Sequence, residues 1–410
     1  MTKHIFDITE FGAVAGDSTP CTAAIQKAID VCAAAGGGQV YLPAGTFLIG
    51  TICLRSNVEL HLAAGATLLA SSDLTAFPER RVKHMETHFL PRGCNSCIIF
   101  AEECENVAIT GRGTIDGNGR SFLIEDKEFW MPYRRIEGPT PARAVFFGGC
   151  RNVRVVDVTL TNPPAGWAYW IHDCDHVTVD RIRITSSVDW PNTDGVHINC
   201  SRNVTVSNSV ITCGDDCIVV RANSASLKEN VPCERVVVTN CILTSWCNAI
   251  RIGWLNDGTI RDVTMTGLVI TDTSVGIGIV LPSRGEERLL DEGRESTVIE
   301  NLSFENIIFD RGRSCPIWMD IADCEWTRAT RVANIRISGF RAVSAELPFI
   351  RGRKDVPIRN LSLSGCSFEK VQGAYHYGAC GDIIYGAGER NGIRLEHIEG
   401  LTVTDTRFDA

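Results

Sequence analysis

Several features that would define other protein classes are missing from this 410-residue chain. No apolar run is long enough to cross a bilayer, so we expect no membrane-spanning helix. No segment rich in Pro, Ser or charge divides the chain, so we expect one domain over residues 1–410. The net charge of −9 and the pI near 5.6 argue against nucleic acid or an anionic membrane surface as a partner. The first residues, Met1 to Asp7, lack the apolar stretch of a secretory signal, so we expect a cytoplasmic protein.

Cysteine is plentiful, with 18 residues, yet the pattern of a metal site is incomplete. Without an export signal the thiols are expected to be reduced, and most are predicted to be small apolar residues inside the core. Cys94 and Cys97 form one half of a zinc pattern, but no second pair at matching spacing follows them. The sequence therefore predicts no metal ion and no other cofactor.

Short β-rich runs recur along most of the chain and carry the fold prediction. From Asn152 to His176, Asn203 and Arg235 the steps are 24, 27 and 32 residues. Periods of this size indicate stacked repeats. Each repeat is too short for a four-stranded propeller blade, and no amphipathic helices alternate with the strands, which weighs against a parallel α/β fold. We therefore predict an all-β fold, a right-handed parallel β-helix, with repeats from about residue 95 to 410. Asn at the start of many runs suits left-handed turn geometry, and stacked Asn amides are expected to bond along the ladder.

A helix is predicted to close the N-terminal end of this cylinder. An open end would expose an unpaired strand edge, which favours aggregation unless it is covered. The sequence predicts Thr19 as the N-cap and Pro20 as the first helical residue. The apolar stripe consists of Ile25, Ala28, Ile29 and Cys32. Gly36 to Gly38 end the helix, so it is predicted at about residues 20–35.

Two acidic motifs lie at matching places in the repeat, Asn192-Thr193-Asp194-Gly195 and Cys213-Gly214-Asp215-Asp216-Cys217. Asp194 and Asp216 are 22 residues apart, which is close to one coil, and each precedes a similar strand. Clustered carboxylates repel one another, so one can hold a proton while another stays ionised. Hydrolysis of a glycosidic bond requires one protonated carboxyl group as the acid and one ionised carboxylate as the base or nucleophile. Asp-Gly is also ordinary turn chemistry, but the paired spacing favours a catalytic role for Asp194, Asp215 and Asp216.

These motifs, together with three earlier segments, carry a resemblance to a known family. The segments are Asp7 to Ala13, Tyr41 to Phe47 and Gly113 to Gly119. Up to about Arg284 the chain resembles glycoside hydrolase family 28, the polygalacturonase group of pectin-degrading enzymes. The resemblance implies inversion at the anomeric centre, with Asp215 as the acid and the other two aspartates activating a water. Inverting enzymes hold the acid and base about 6.5–9.5 Å apart, which side chains on coils about 4.8 Å apart can span.

The chain departs from the family pattern where that pattern carries cations. Asn248 stands where the family carries the His of Gly-His-Gly, and Gly278 and Val280 stand where it carries the basic residues of Arg-Ile-Lys. Each lost charge-assisted bond to a uronate is worth about 1.5–3 kcal/mol. The sequence therefore argues against an ordinary endo-polygalacturonase and favours a sugar that has no carboxylate there or is oriented differently.

Other polar and aromatic side chains are predicted to line the substrate site. His197 and Arg251 lie three positions after Asp194 and Asn248, so they are expected to share one outward row. The predicted substrate-binding residues are Asn192, His197, Arg221, Asn248, Arg251 and Arg284. The aromatic candidates for stacking on a sugar are Trp167, Tyr169, Trp170 and His172, of which alternation turns about half inward. Each of these residues has an ordinary alternative as a surface or core side chain.

The expected function is hydrolysis of oligosaccharides derived from pectin or a related polysaccharide, of galacturonide or rhamnogalacturonan type. Residues 79–93 and 120–137 are predicted loops over the cleft, and a long wall on one side would favour exo action. Two alternatives remain open. One is another β-helix carbohydrate enzyme, a lyase, epimerase or transglycosylase, although a lyase would need a basic residue that this acidic patch does not clearly offer. The other is a non-catalytic carbohydrate-binding β-helix. The sequence does not predict the oligomeric state.

Overall fold

A computed structural model describes residues 5–80, 82, 96–129, 131–138, 140–164, 166–281, 295–324, 327–371 and 393–409. The chain winds into a right-handed parallel β-helix whose coils contribute strands to two parallel sheets, one of 11 strands and one of 24. We call them the site sheet and the large sheet. The predicted fold class is confirmed.

The described elements are as follows. The strands of the site sheet are Ile52–Cys53, Cys97–Glu102, Arg143–Gly148, Trp167–His172, Val196–Asn199, Ile218–Arg221, Asn248–Ile252, Val275–Leu281, Ile317–Ile321, Phe349–Arg351 and Arg394–Glu396. The strands of the large sheet are Ile5–Asp7, Gly16–Pro20, Gly38–Leu42, Gly45–Ile49, Val58–Leu62, Ala66–Ala70, Glu105–Thr110, Thr114–Asp116, Arg151–Val156, Thr159–Thr161, Asp175–Asp180, Arg183–Thr185, Arg202–Ser207, Val210–Cys213, Cys233–Thr239, Ile242–Ser245, Thr259–Thr271, Thr297–Gly312, Ala329–Ser344, Ile358–Ser364, Ser367–Lys370, Ile398–Glu399, Thr402–Thr404 and Arg407–Asp409. The other elements are helix α1 (Thr22–Ala34), the 3-10 helices Ile8–Phe11, Leu74–Ala76 and Gly119–Phe122, and an antiparallel hairpin of Leu123–Glu125 with Tyr133–Arg135.

The core is a continuous column of aliphatic side chains stacked in register. Val177, Val204 and Val236 are partners on successive coils, and all three are buried. Thr205, between two buried valines, is exposed. This alternation follows from the two-residue period of a strand, and it gives the large sheet one face in the core and one face outside.

A ladder of Asn side chains supports one corner of the coils. Asn301, Asn334 and Asn360 all have left-handed backbones, with φ of 59°, 57° and 55°. The amide of Asn334 donates to Asn301 at 3.0 Å, and that of Asn360 donates to Asn334 at 2.9 Å. Asn106 bonds to Asn57 in the same way at 2.9 Å. The predicted geometry and stacking of these amides are confirmed.

The parallel ladder begins far earlier than the predicted residue 95. Ile5–Asp7 already pairs in parallel with Gly38–Leu42, which pairs in turn with Val58–Leu62. The first coils were missed because glycine-containing turns separate their strands, although Asn57 before Val58 carries the same turn signal as the later repeats.

Helix α1 buries the predicted stripe, but its predicted start is wrong. The helix begins at Thr22, its N-cap position is Cys21, and no side chain caps it. Pro20 instead ends a strand of the large sheet. The Cys21 N–H donates to the carbonyl of Leu48 at 2.7 Å, so ladder pairing holds the chain extended to this point. The helix can form only after that last bond.

The described cysteines are free thiols, and all but the partly exposed Cys324 are buried, as predicted for core residues. Cys94 lies outside the described residues. Among the helices in the described ranges, none has both the length and the apolar character needed to span a membrane.

Candidate active site

The two acidic motifs lie side by side on the outer wall of the coil. The Gly195 N–H donates to the carbonyl of Asp216 at 2.9 Å, which continues the parallel pairing of the following strands. Asn192 Nδ2 donates to Asp215 Oδ2 at 3.0 Å. Asp194 and Asp216 therefore occupy equivalent positions on successive coils, with Asp215 beside them. The structure brings together the two motifs that carry the three aspartates, as the spacing predicted.

Glycines allow the two motifs to approach this closely. A Cβ atom on Gly195 would lie 2.3 Å from the carbonyl oxygen of Cys217, and one on Gly214 would lie 2.0 Å from that of Trp190. Any larger residue would push the coils apart. Both glycines are thus part of the geometry that assembles the acidic patch.

Asp216 is fully buried and surrounded by N–H donors. Arg251 Nη1 donates to its Oδ2 at 2.9 Å, while the backbone N–H of Asn248 (3.2 Å) and the Asn248 amide both donate to its Oδ1. The guanidinium of Arg251 also lies 3.7 Å from the centroid of the Trp254 ring. Such partners suit an ionised carboxylate, which can only accept. Asp215 is partly exposed, so the two adjacent aspartates face different surroundings.

Asp194 is 3 % exposed and lies beside a neutral histidine. Nδ1 of His197 is 3.5 Å from Oδ2 of Asp194, and the imidazole stacks on Trp167 with 3.6 Å between ring centroids. Burial, with the nearby charges of Arg221 and Arg143, holds the pKa of His197 well below its usual range. The imidazole is therefore uncharged at neutral pH.

The predicted outward row exists. Trp170, His197, Val219, Arg251 and Gly278 are register partners on five successive strands of the site sheet. His197 and Arg251 thus share one line of side chains, two coils apart. From its place in this row, Arg251 contacts Asp216 directly.

Arg221 forms an internal ion pair. Its Nε and Nη2 each donate to a carboxylate oxygen of Asp257 at 2.7 Å, and Asp257 is fully buried. The predicted contact of Arg221 with substrate stays a prediction, but most of its guanidinium is engaged by Asp257. Sequence spacing could not reveal this pair because Asp257 lies 36 residues away in a loop. Arg284 lies outside the described residues.

The aromatic candidates divide between the two faces of the sheet. Tyr169 lies in the main core, whereas Trp167 and Trp170 belong to a separate cluster on the outer face. Arg143, which the sequence analysis did not single out, lies over Trp167 at 3.9 Å from the ring centroid and is 2 % exposed. The feature that identifies Arg143 is its strand pairing with Trp167, which lies one coil further on. This register is known only from the structure.

Beyond the acids, on the C-terminal side, the site sheet carries an apolar cluster that is bordered by the ion pair of Asp320 with Arg351. The buried cluster consists of Val275, Val280, Cys315, Trp318 and Phe349. A Cβ atom on Gly278 would lie 2.7 Å from Oδ1 of Asn248. The lack of a side chain at Gly278 therefore leaves space for the amide of Asn248 to bond Asp216.

A hairpin flanks the acidic patch on the N-terminal side. Leu123 and Tyr133, from its two strands, pack against Trp190, which leads into the first acidic motif. The predicted loop over residues 120–137 is thus partly ordered as this hairpin. Of the other predicted loop, residues 79–93, only 79, 80 and 82 are described. Across the described ranges, no group of three or more His, Cys, Asp or Glu side chains is arranged to hold a metal ion.

Residues 32–346 match the family described as glycosyl hydrolases family 28. The chain belongs to this family. Related family 28 sequences include a probable polygalacturonase of Vitis vinifera, 28 % identical over 67 % of this chain and 57 % of the relative. An exo-poly-alpha-D-galacturonosidase of Dickeya chrysanthemi is 26 % identical over 67 % of this chain and 51 % of the relative. An endo-polygalacturonase of Pectobacterium carotovorum subsp. carotovorum is 28 % identical over 77 % and 79 %.

The chain therefore spans little more than half the length of the first two of these relatives. Among solved structures, an exopolygalacturonase from Thermotoga maritima superposes with a TM-score of 0.70 at 20 % identity, covering 98 % of this chain and 91 % of the other. An endo-xylogalacturonan hydrolase from Aspergillus tubingensis gives 0.64 at 18 % identity, with 90 % and 97 % covered. These structures support the β-helix fold. Because the relatives include both exo and endo enzymes, membership of the family leaves the cleavage mode open.

Proposed function

We propose that this protein is a glycosidase that hydrolyses galacturonide-type or rhamnogalacturonan-type oligosaccharides with inversion, using Asp194, Asp215 and Asp216. Asp215 donates a proton to the glycosidic oxygen as the bond from that oxygen to the anomeric carbon breaks. Asp194 and Asp216 orient a water on the opposite face of the ring and accept its proton as its oxygen bonds to that carbon. The observation that carries the proposal is the direct contact between the two aspartate-bearing motifs on successive coils.

The surroundings of the carboxylates support these separate roles. Asp215 is partly exposed, where it can reach the oxygen of a departing sugar. Asp216 is held by Arg251 and Asn248, whose N–H groups match an ionised base. Asp194 lies beside the neutral His197.

Single replacements of the three aspartates by asparagine test the proposal. We expect each of D194N, D215N and D216N to lower kcat by about 100-fold or more, because each removes an acid or base group. Reducing-sugar release measures the rate, and NMR of the first product reveals its anomer. D189N, at a partly exposed aspartate of the preceding turn, is the control and should keep wild-type activity. A first product with retained configuration, or full activity in D215N, would contradict the mechanism.

Exo action is the second part of the proposal. The outer face of the site sheet is buried on both sides of the acids, at Phe146 and Trp170 before them and at Trp318 and Phe349 after them. A chain bound at its middle would need an open groove over several coils. The hairpin anchored on Trp190 adds a wall on one side.

The product pattern from oligosaccharides of defined length separates exo from endo action. We expect a single short product to appear first, whatever the length of the substrate. An early ladder of products of many sizes would contradict exo action while leaving the catalytic proposal intact.

The C-terminal flank of the site supports a substrate with a neutral sugar on that side. The side chains of Val275, Val280 and Trp318 are apolar. The charged groups that border them, Asp320 and Arg351, are bound to each other.

A panel of oligosaccharides tests this specificity. We expect a higher kcat/KM for rhamnogalacturonan-type oligosaccharides than for homogalacturonides of equal length, and the reverse order would contradict it. The rival function, non-catalytic carbohydrate binding, would show saturable binding to both wild type and D215N with no hydrolysis by either.

A further inference from the structure

We infer that Thr193 is a positioning residue whose hydroxyl fixes Asp215 relative to Asp194. The inference rests on the proposed catalytic roles of these two aspartates. Thr193 is fully buried, so it does not contact substrate itself. It stands immediately before Asp194, and its bonding partner Gly214 stands immediately before Asp215.

One hydroxyl joins the two acidic motifs. Thr193 Oγ1 accepts the N–H of Gly214 at 2.9 Å and donates to the carbonyl of Trp190 at 3.1 Å. The hydroxyl thus uses its single donor and one of its acceptor positions. The coil that carries Asp194 is thereby fastened to the loop that carries Asp215.

The other contacts between the motifs act elsewhere. The bond from Gly195 N–H to the carbonyl of Asp216 fixes the Asp194–Asp216 side of the patch. Asn192 holds the carboxylate end of Asp215. The Thr193 bond holds the backbone just before Asp215, so its loss is expected to displace the acid while leaving the two base carboxylates in place.

Tight packing at Gly214 makes this contact sensitive. A Cβ atom there would approach Thr193 Oγ1 to 2.9 Å and the carbonyl oxygen of Trp190 to 2.0 Å. The two segments therefore touch at this point, and an apolar methyl in place of the hydroxyl would face an unsatisfied N–H. An inverting site must keep its acid and base about 6.5–9.5 Å apart, and a misplacement of about 1 Å can cost about 100-fold in rate.

The test compares T193V, which removes the hydroxyl at nearly constant shape, with T193S, which keeps it. We expect T193V to lower kcat by about 10–100-fold with KM changed less than about twofold, and to alter the limb of the pH–rate profile that reports the acid. T193S should stay within about threefold of wild type. T193A, which leaves space instead of a methyl, should lose kcat as T193V does and serves if T193V fails to fold.

Ser209 provides a matched control. Its buried hydroxyl accepts the N–H of Ile182 at 3.2 Å and donates to the carbonyl of Ser207 at 2.7 Å, the same type of bridge between coils in a turn of the large sheet. S209A should lose stability, measured by thermal unfolding, yet keep kcat.

Wild-type kcat in T193V together with lowered stability would reduce Thr193 to a structural residue and overturn the inference. Equal loss of kcat in S209A, or failure of T193S to restore the rate, would overturn it as well. These outcomes can be distinguished from failure of the proposed function. Full activity in D215N would show that Asp215 is not the acid, and this result does not depend on the T193V measurement.

Discussion

Arg251 contacts Asp216 and Trp254 at the same time. The sequence predicted Arg251 as a substrate-binding cation, and its position in the outward row is consistent with that. Its ion pair with the buried Asp216 adds a second role, because an unpaired buried carboxylate would be costly. The ring of Trp254 limits where the guanidinium can move. Arg251 therefore acts on the proposed reaction at least partly through Asp216.

Replacing Arg251 with Lys should separate positioning from substrate binding. A lysine keeps the charge but loses the planar group that both bonds Asp216 and lies on Trp254. We expect kcat to fall by about 10–100-fold, since a hydrogen bond to a charged group is worth about 1.5–3 kcal/mol, with a smaller change in KM. Steady-state kinetics measure both. R351K, at an arginine paired with Asp320 at 2.8 and 2.9 Å in the same sheet, is the control. A rise in KM alone would assign Arg251 to substrate binding.

His197 should make folding stability depend on pH. Its pKa is lowered in the folded protein but is about 6.5 in the unfolded chain. Below about pH 6.5 the unfolded state binds a proton that the folded state does not, so stability falls as pH falls; above that pH the contribution is constant. We expect H197N to show a shallower decline in unfolding free energy between about pH 7 and pH 5, measured with urea. H176N, at an exposed histidine, is the control. An unchanged slope in H197N would contradict this account.

Spacing alone predicted the meeting of the acids and the shared row of His197 and Arg251. Both follow from the two-residue period within strands and from similar motifs at matching places in successive coils. The partners of single charges were not predictable in this way. Asp257, which binds Arg221, comes from a loop, and Arg143 is recognisable only once the register with Trp167 is known.

The Asn ladder shows how individual coils are held in register. The left-handed conformation costs most residues about 1–2 kcal/mol of backbone energy. The amide bond from each Asn to the Asn of the preceding coil offsets this cost. This element was predictable because Asn tolerates that geometry and recurs at the same place in the repeat. The start of α1 was not predictable from the sequence. Thr19 and Pro20 resemble a helix cap, but they belong to a strand that pairs with Gly45–Ile49.

Replacing Asn334 tests the ladder. N334A removes the amide bonds to Asn301 and Asn360 and places alanine at φ 57°. We expect a loss of about 2–5 kcal/mol in unfolding free energy, from two bonds of about 0.5–1.5 kcal/mol each and a backbone cost of about 1–2 kcal/mol. N334G removes the same bonds but tolerates the backbone, so it should lose less. Urea unfolding measures both, and equal losses in the two variants would show that backbone conformation contributes nothing.

In the whole molecule, each coil contacts mainly its neighbours, so the ends of the cylinder are expected to open more readily than its middle. Helix α1 protects the N-terminal end by burying four side chains against the first coils. Removing part of that contact should loosen the terminal coils and leave the acidic patch, several coils away, intact.

I25A tests this protection by cutting back a fully buried residue of the cap. We expect a loss of about 2–5 kcal/mol, and hydrogen exchange should become faster first in Gly38–Leu42 and Ile52–Cys53, two strands that pack against the helix. Exchange at Val196–Asn199 and the catalytic rate should stay near wild type. K27A, at an exposed position of the same helix, is the control. Uniformly faster exchange along all coils would mean that the β-helix unfolds as one cooperative unit and that the cap stabilises every coil equally.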